Sequence, residues 1–485
     1  MPSIRCSLLL SSTLLLTEAY AEAIRHQHGH DVPLHAHLHV PKARELSTLS
    51  RRDVSNDTLA VEIINNTPND NICAYIITNY GDDVALITSE SQYFSPAEAK
   101  QGIATITPEE ANNGILLGPP GSIKRLNSLP IGLLSARIVA SLGSLNVTRN
   151  AASLSMPEYL GNTSDAMTNW WFIEANLQAN ALYVNPTFVD FAGLPLDFDL
   201  ITPSSMSKYT GLRDGGIGRV CQQLGEEQAK DGQPWSSLCM RDSDGANLRV
   251  MSPAHDDGFN DYWENYIDQV WEHYSTTSLT FVVNGDTKIQ CCTDVTKNVM
   301  TCDGTSAEFA KPSTSDIWGC VGGTTFGHGD PRMHALGPAF CAAIHRGLLL
   351  VPGGEIQPSL RSDKYYPPNQ THNRYASVLH KQQFNHTGYA FPYDDVKATD
   401  DDDASGLLVG RDPTCLRIYV GGRDRDQLAG YHAFPSDGHS TSPSLSDSLF
   451  SGINRLPPTI SSHSVVALSS AVRWPESQAA PEEFD

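Results

Sequence analysis

Positive charge is scarce in this chain: 33 lysines and arginines stand against 55 aspartates and glutamates, a formal net charge of −22. That balance excludes nucleic acid as a partner, because holding phosphates takes a basic face. Past the first 23 residues no apolar run approaches the length of a bilayer crossing, and the C-terminus carries no hydrophobic lipid-anchor tail, so no membrane partner is expected. No paired C-x-x-C spacing suggests zinc. No serine sits in a G-x-S-x-G setting, which leaves His328, Asp330 and His334 without a nucleophile for a triad. The loop Leu212 to Gly218 lacks the Lys-Ser/Thr of a phosphate-binding loop. The run Asp400 to Asp403 lacks the glycine and terminal glutamate of a calcium loop and reads as solvated. The expectation is a protein with no metal and no cofactor.

What is present describes an exported globular protein. Its 485 residues, 40% hydrophobic and 18% charged, are enough for two or three domains with a large core. Residues 1–23 have signal-peptide layout: Arg5, the apolar run Leu8 to Leu16, then small residues at Ala19, Ala21 and Ala23. Residues 24–52 hold His26, His28, His30, His35, His37 and His39 and end in Arg51-Arg52, a pro-peptide pattern with a dibasic processing site. Those histidines can bind a metal ion, but they lack helical i, i+4 spacing and would leave with the pro-segment. Six N-x-Ser/Thr sequons, at Asn56, Asn65, Asn146, Asn162, Asn369 and Asn385, suit the same route. Without Cys6, nine cysteines remain, which in an oxidising compartment gives up to four disulfides and one free thiol. Cys221 with Cys239, and the Cys291–Cys302 cluster, point to local pairs, while adjacent Cys291 and Cys292 do not bond each other without strain. The expected location is outside the cell or in its wall, and the expected state is a monomer.

Patterning divides the mature chain. Over 53–201 short β-branched and aromatic runs alternate with Asn, Gly and Pro turns, as in an all-β sandwich or barrel. Over 202–380 the pattern becomes mixed α/β. Trp263, Tyr266, Ile267, Val270, Trp271 and Tyr274 form one helical stripe, read as core in preference to a sugar-stacking face. LTFVVNG follows as a strand, and Pro338 to Pro352 reads as a buried helix. β signals return over 381–424, and 425–485 is a Ser/Pro-rich tail, expected to be mobile.

One stretch carries chemistry. WWFIEANLQANALYVNPTFVDFAGLPL, Trp170 to Leu196, reads as two strands and a turn, with Glu174 on the first and Asp190 on the second. A carboxylate among Trp, Phe, Ile and Val is expensive to bury without a partner or a task. Diagonal residues on paired strands lie about 7–8 Å apart. An inverting glycosidase needs its two carboxyls about 6.5–9.5 Å apart, so such a pair fits. The plain alternative is an exposed Glu and a turn-capping Asp. Strand alternation places Asn176 and Gln178 on the face of Glu174.

With those residues in view, the chain resembles glycoside hydrolase family 64, secreted endo-β-1,3-glucanases with a thaumatin-like barrel. The resemblance spans roughly Leu59 to Gly422 and rests on IEANL, TFVDFAGLP, the Tyr262–Tyr274 helix, KPSTSDIWGC and YAFPYDD. It implies a mainly β fold, a thaumatin-like β-barrel or sandwich with an inserted mixed α/β domain, the two flanking a wide groove. It implies Glu174 as general acid and Asp190 as general base. It also implies Asn176, Gln178, Tyr183 and Thr187 as sugar contacts, with Asn and Gln where some members carry Thr and Asn. The implied partner is β-1,3-glucan, cut internally to short oligosaccharides, with laminaripentaose the family expectation. Two other readings compete: a non-catalytic thaumatin-like β-glucan-binding protein, which would release no sugar, and a structural wall protein, for which the sequence offers no anchor.

Overall fold

The computed structural model describes residues 59 to 423 apart from short intervals, the longest being 99–113. The leader 1–23, the histidine-rich 24–52 and the tail 425–485 lie outside the described residues, as do His328, Asp330, Asp400, Asp401 and the side chain of His334.

Two large sheets build the β part of the molecule. One orders its strands Met206–Tyr209, Leu196–Ile201, Cys415–Val420, Ala60–Asn65 and Ile123–Leu126. The other runs Leu408–Arg411, Ala181–Pro186, Trp170–Gln178, Ala136–Leu142, Ile72–Tyr80, Asp83–Ile87 and Tyr93–Phe94, with Ile115–Leu116 also paired to Ile72–Tyr80. Their facing sides bury Trp171, Ile173, Ala175, Leu182 and Val184 from one sheet and Val61, Ile63, Phe198, Leu200, Leu416 and Ile418 from the other. Alternation dictates this, since every second residue of each strand is apolar. The sheets approach closely where Gly410 lies: a Cβ there would meet the Leu200 side chain at 2.9 Å.

Of the two expected alternatives, barrel or sandwich, the described strands form an open two-sheet sandwich and no closed barrel. The strands that end each path are only two to four residues long, so neither sheet continues round to meet itself. The expectation of a mainly β protein with a mixed α/β part holds. Ala60–Asn65 and Cys415–Val420 run parallel and in register from Ala60 opposite Cys415 to Asn65 opposite Val420. The two ends of the described chain thus complete one sheet.

The mixed part lies between them in sequence. Its helices are Gly216–Asp231, Glu264–Tyr274, Thr314–Gly319, Pro331–His345 and Arg374–Gln382, beside a five-stranded sheet centred on Thr287–Asp294. The aromatic stripe of Glu264–Tyr274 is core: Tyr266, Ile267, Val270, Trp271 and Tyr274 are at most 1% exposed. LTFVV forms the strand Leu279–Val283 as expected. The helix expected from Pro338 to Pro352 instead spans Pro331–His345 with Pro338 inside it. It stops there because Gly347 adopts φ 70°, donating to Ile344 O while Leu348 N reaches Ala343 O.

Disulfides join Cys221 to Cys239 and Cys291 to Cys302, the local pairs expected, and Cys320 to Cys341. Among the described residues two thiols are free, Cys73 and Cys415, both buried and on different sheets, where the sequence suggested one.

Candidate active site

Glu174 is positioned by its strand neighbours. Trp170–Gln178 lies between Ala136–Leu142 and Ala181–Pro186, and the register sets Arg137 opposite Glu174 on one side and Asn185 on the other. Arg137 Nε lies 3.7 Å from Glu174 Oε1, and Asn185 Nδ2 is 3.4 Å from Oε2. Both contacts are long, so neither locks the carboxylate in its charged form. Burial dominates and raises the pKa of Glu174 above the ordinary carboxylate value. Arg137 and Asn185 pull it down, and the charge of Asp190 pushes it up again. The result is a carboxyl group held by its surroundings toward the protonated form, with a second carboxylate near enough to act on it.

Asp190 arrives differently from the sequence expectation. The second strand of the hairpin, Ala181–Pro186, ends before it, and Asp190 stands in a bend ahead of the short strand Phe191–Ala192. Remote groups hold that bend. Trp171 Nε1 donates to Thr187 O at 2.7 Å, and the Tyr375 hydroxyl donates to Phe188 O at 2.6 Å. Ser252 N donates to Asp190 O and Phe188 N to Tyr389 O, at 2.8 and 2.7 Å. The Trp171 and Phe188 rings stack with centroids 4.4 Å apart. The Asp190 side chain remains 28% exposed, and its Oδ1 lies 3.2 Å from His255 Nε2.

The other expected residues divide between the face and the interior. Asn176 shares the Glu174 face but is buried, its Oδ1 accepting from Ser135 N at 3.0 Å. Tyr183 stands opposite Asn176, half-buried, and Gln178 is exposed at the hairpin end. Thr187 is 1% exposed, with no protein partner for its hydroxyl among the described residues. Four neighbours were not singled out from the sequence: Arg137, Asn185, His255 and Arg249. Asn185 was within reach, because a two-residue turn between Gln178 and Ala181 fixes the register that pairs it with Glu174. The others come from strands and turns whose approach no local pattern encodes.

Arg249 packs against Phe191, the residue after Asp190. It is wholly buried, its guanidinium 4.9 Å from the Phe191 ring centroid and 5.4 Å from that of Trp170, and it donates to Thr168 O. Burial lowers its pKa to about 10, still leaving it charged at neutral pH.

Two partly covered carboxyls, Glu174 and Asp190, thus lie close enough for the charge of one to act on the other. The family model described as β-1,3-glucanase, glycoside hydrolase family 64, matches residues 57–420. The chain belongs to that family. It is 29% identical over 255 residues to a glucan endo-1,3-β-glucosidase of Cellulosimicrobium cellulans, and 29% over 256 residues to one of Arthrobacter sp. (strain YCWD3). Each match takes in 49% of this chain and 44% of the relative, so the chain spans less than half the length of the curated relatives it matches. Among solved structures, a laminaripentaose-producing β-1,3-glucanase in complex with laminaritetraose superposes with a TM-score of 0.62 at 22% identity. That superposition covers 75% of this chain and 98% of the other. A family 64 β-1,3-glucanase domain from Clostridium beijerinckii gives 0.55 at 20% identity, covering 75% and 98%. These likenesses show that the fold is shared.

Proposed function

We propose that this protein is a secreted endo-β-1,3-glucanase that hydrolyses its polymer with inversion, using Glu174 as acid and Asp190 as base. The observation that carries the reading is the difference between the two carboxyls: Glu174 mostly covered, its side chain 13% exposed and its pKa raised by desolvation, and Asp190 more open at 28%. Inverting hydrolysis asks for that division, one group bearing a proton and the other accepting one.

The step balances as follows. Glu174 gives its proton to the glycosidic oxygen as the bond from that oxygen to the anomeric carbon breaks. A water on the opposite face of the ring attacks that carbon and passes a proton to Asp190. Products leave with Glu174 ionised and Asp190 protonated, and exchange with solvent restores both. Arg137 steadies Glu174 once it is ionised, and Asn185 can donate to the same carboxylate.

The sugar chain lies, in this reading, across the Glu174 face, meeting Gln178 and Tyr183, while Asn176 and Thr187, expected as contacts from the sequence, are buried beneath that face and support it. Laminaripentaose is the product proposed, on the family membership and on the named product of the first structural relative. Export and removal of residues 1–52 complete the proposal.

Time-resolved proton NMR of the mature protein on soluble β-1,3-glucan tests it, beside Glu174→Gln and Asp190→Asn. The expected result is α-anomeric reducing ends appearing first, and loss of release in both variants. First appearance of β-anomers would reject inversion. Retained glucan binding with no release by the unaltered protein would make it a glucan-binding module instead.

A further inference from the structure

We infer that His255 is a positioning residue for the base: it fixes Asp190 through one carboxylate oxygen and leaves the other open. The inference rests on the assignment of Asp190 as base. Its ground is geometric. Nε2–H of His255 reaches Asp190 Oδ1 at 3.2 Å, and among the described residues this is the one hydrogen bond that carboxylate makes. An aspartate's terminal torsion is broad and roughly two-fold, so a single directed bond selects one orientation. The bend at Asp190 gives its side chain no strand neighbours to do this instead.

His255 is itself held by its own turn and by one neighbouring ring. It closes the short 3-10 turn Pro253–His255, whose start is capped by Ser252 Oγ accepting from Ala254 N. Ser252 N also donates to Asp190 O, so one turn holds both the main chain and the side chain of Asp190. The Tyr159 ring meets the imidazole edge-on at 5.4 Å and stacks at 5.2 Å on Phe191, the residue after Asp190. The hook therefore joins three segments distant in sequence at the proposed base.

The consequence is kinetic. Misplacing a catalytic group by about 1 Å can lower a rate about a hundredfold, while substrate affinity depends on the rest of the groove. His255→Ala should lower kcat on soluble β-1,3-glucan by about 10- to 100-fold and leave KM within about twofold. His255→Gln, whose amide can donate to the same oxygen, should recover most of that loss. Melting curves and binding of laminarioligosaccharides accompany each variant. Should His255→Ala fail to fold, His255→Phe keeps a ring against Tyr159 and donates nothing, and takes its place.

Unchanged kcat in His255→Ala or His255→Phe overturns the inference. So does a His255→Gln as impaired as His255→Ala with melting lowered in parallel, because that is the signature of a purely structural side chain. Asp190→Asn serves as the reference. If it keeps full activity, the base assignment itself falls, whatever His255 does. If Asp190→Asn is inactive and His255→Ala is not impaired, only the positioning role falls.

Discussion

Arg137 and Glu174 stand directly opposite each other on paired strands, yet the guanidinium Nε stops 3.7 Å short of the carboxylate oxygen. That gap is wide enough to weaken a hydrogen bond and narrow enough for the charge to be felt. Arg137 lowers a pKa that burial raises. An acid catalyst must be protonated to act, so its activity falls as pH rises through its pKa. Arg137→Met removes a lowering influence, and the alkaline limb of the kcat profile should move to higher pH. Arg137→Lys keeps the charge and should leave the limb near its original place. A limb that moves downward in Arg137→Met would contradict the electrostatic assignment.

Beyond the mixed segment in sequence, Asp394 is wholly buried and satisfies three donors. Arg346 Nη2 reaches Oδ1 at 3.0 Å, while His380 Nε2 and Ala390 N reach Oδ2 at 2.9 and 3.0 Å. Arg346 is likewise buried, its guanidinium 4.2 Å from the Tyr365 ring centroid. Removing one partner of such a pair leaves the other charge stranded, which typically destabilises by about 3–5 kcal/mol. Asp394→Ala should lower the midpoint of urea unfolding accordingly. Lys364→Ala, in an exposed pair with Asp363, should leave it nearly unchanged.

The sequons are not equivalent in the folded chain. Asn65 is fully buried; its Nδ2 donates to Asn69 O and Gly118 O at 2.7 and 2.8 Å, and its Oδ1 accepts from Thr67. A glycan on that nitrogen would break both bonds and has no space to leave by. Asn146, Asn162, Asn369 and Asn385 are exposed. After production in a glycosylating host, glycopeptide mapping should find sugar at some or all of these four and none at Asn65. Sugar on Asn65 of folded protein would contradict the packing described.

What was legible in the sequence was what neighbours in the chain decide. The Trp170–Gln178 and Ala181–Pro186 hairpin follows from alternation and a two-residue turn, and with it the face that Glu174 shares with Asn176 and Gln178. The Glu264–Tyr274 stripe follows from helical spacing, and its burial from aromatic bulk. Asp190 was recognised but misplaced on a strand. TFVDFAG is apolar enough to read as extended, and the bend depends on Tyr375 and Ser252, which lie 187 and 62 residues away. Barrel and sandwich stayed alternatives in the sequence because strand propensity says which segments form strands, whereas closure depends on strand number, tilt and stagger.

The parallel pairing of Ala60–Asn65 with Cys415–Val420 sets a schedule for synthesis. Glu62 and its partner Arg417 are separated by 355 residues. At a ribosomal pace of about 5–20 residues per second, the first strand waits roughly 20–70 s for the last. Ile123–Leu126 occupies one of its edges early, but the other stays open for that whole interval, inviting pairing with neighbouring nascent chains. Cys415–Val420 thus acts as the latch of the sandwich, and a chain cut short before it would carry the proposed acid and base beside a five-stranded sheet that lacks its middle strand.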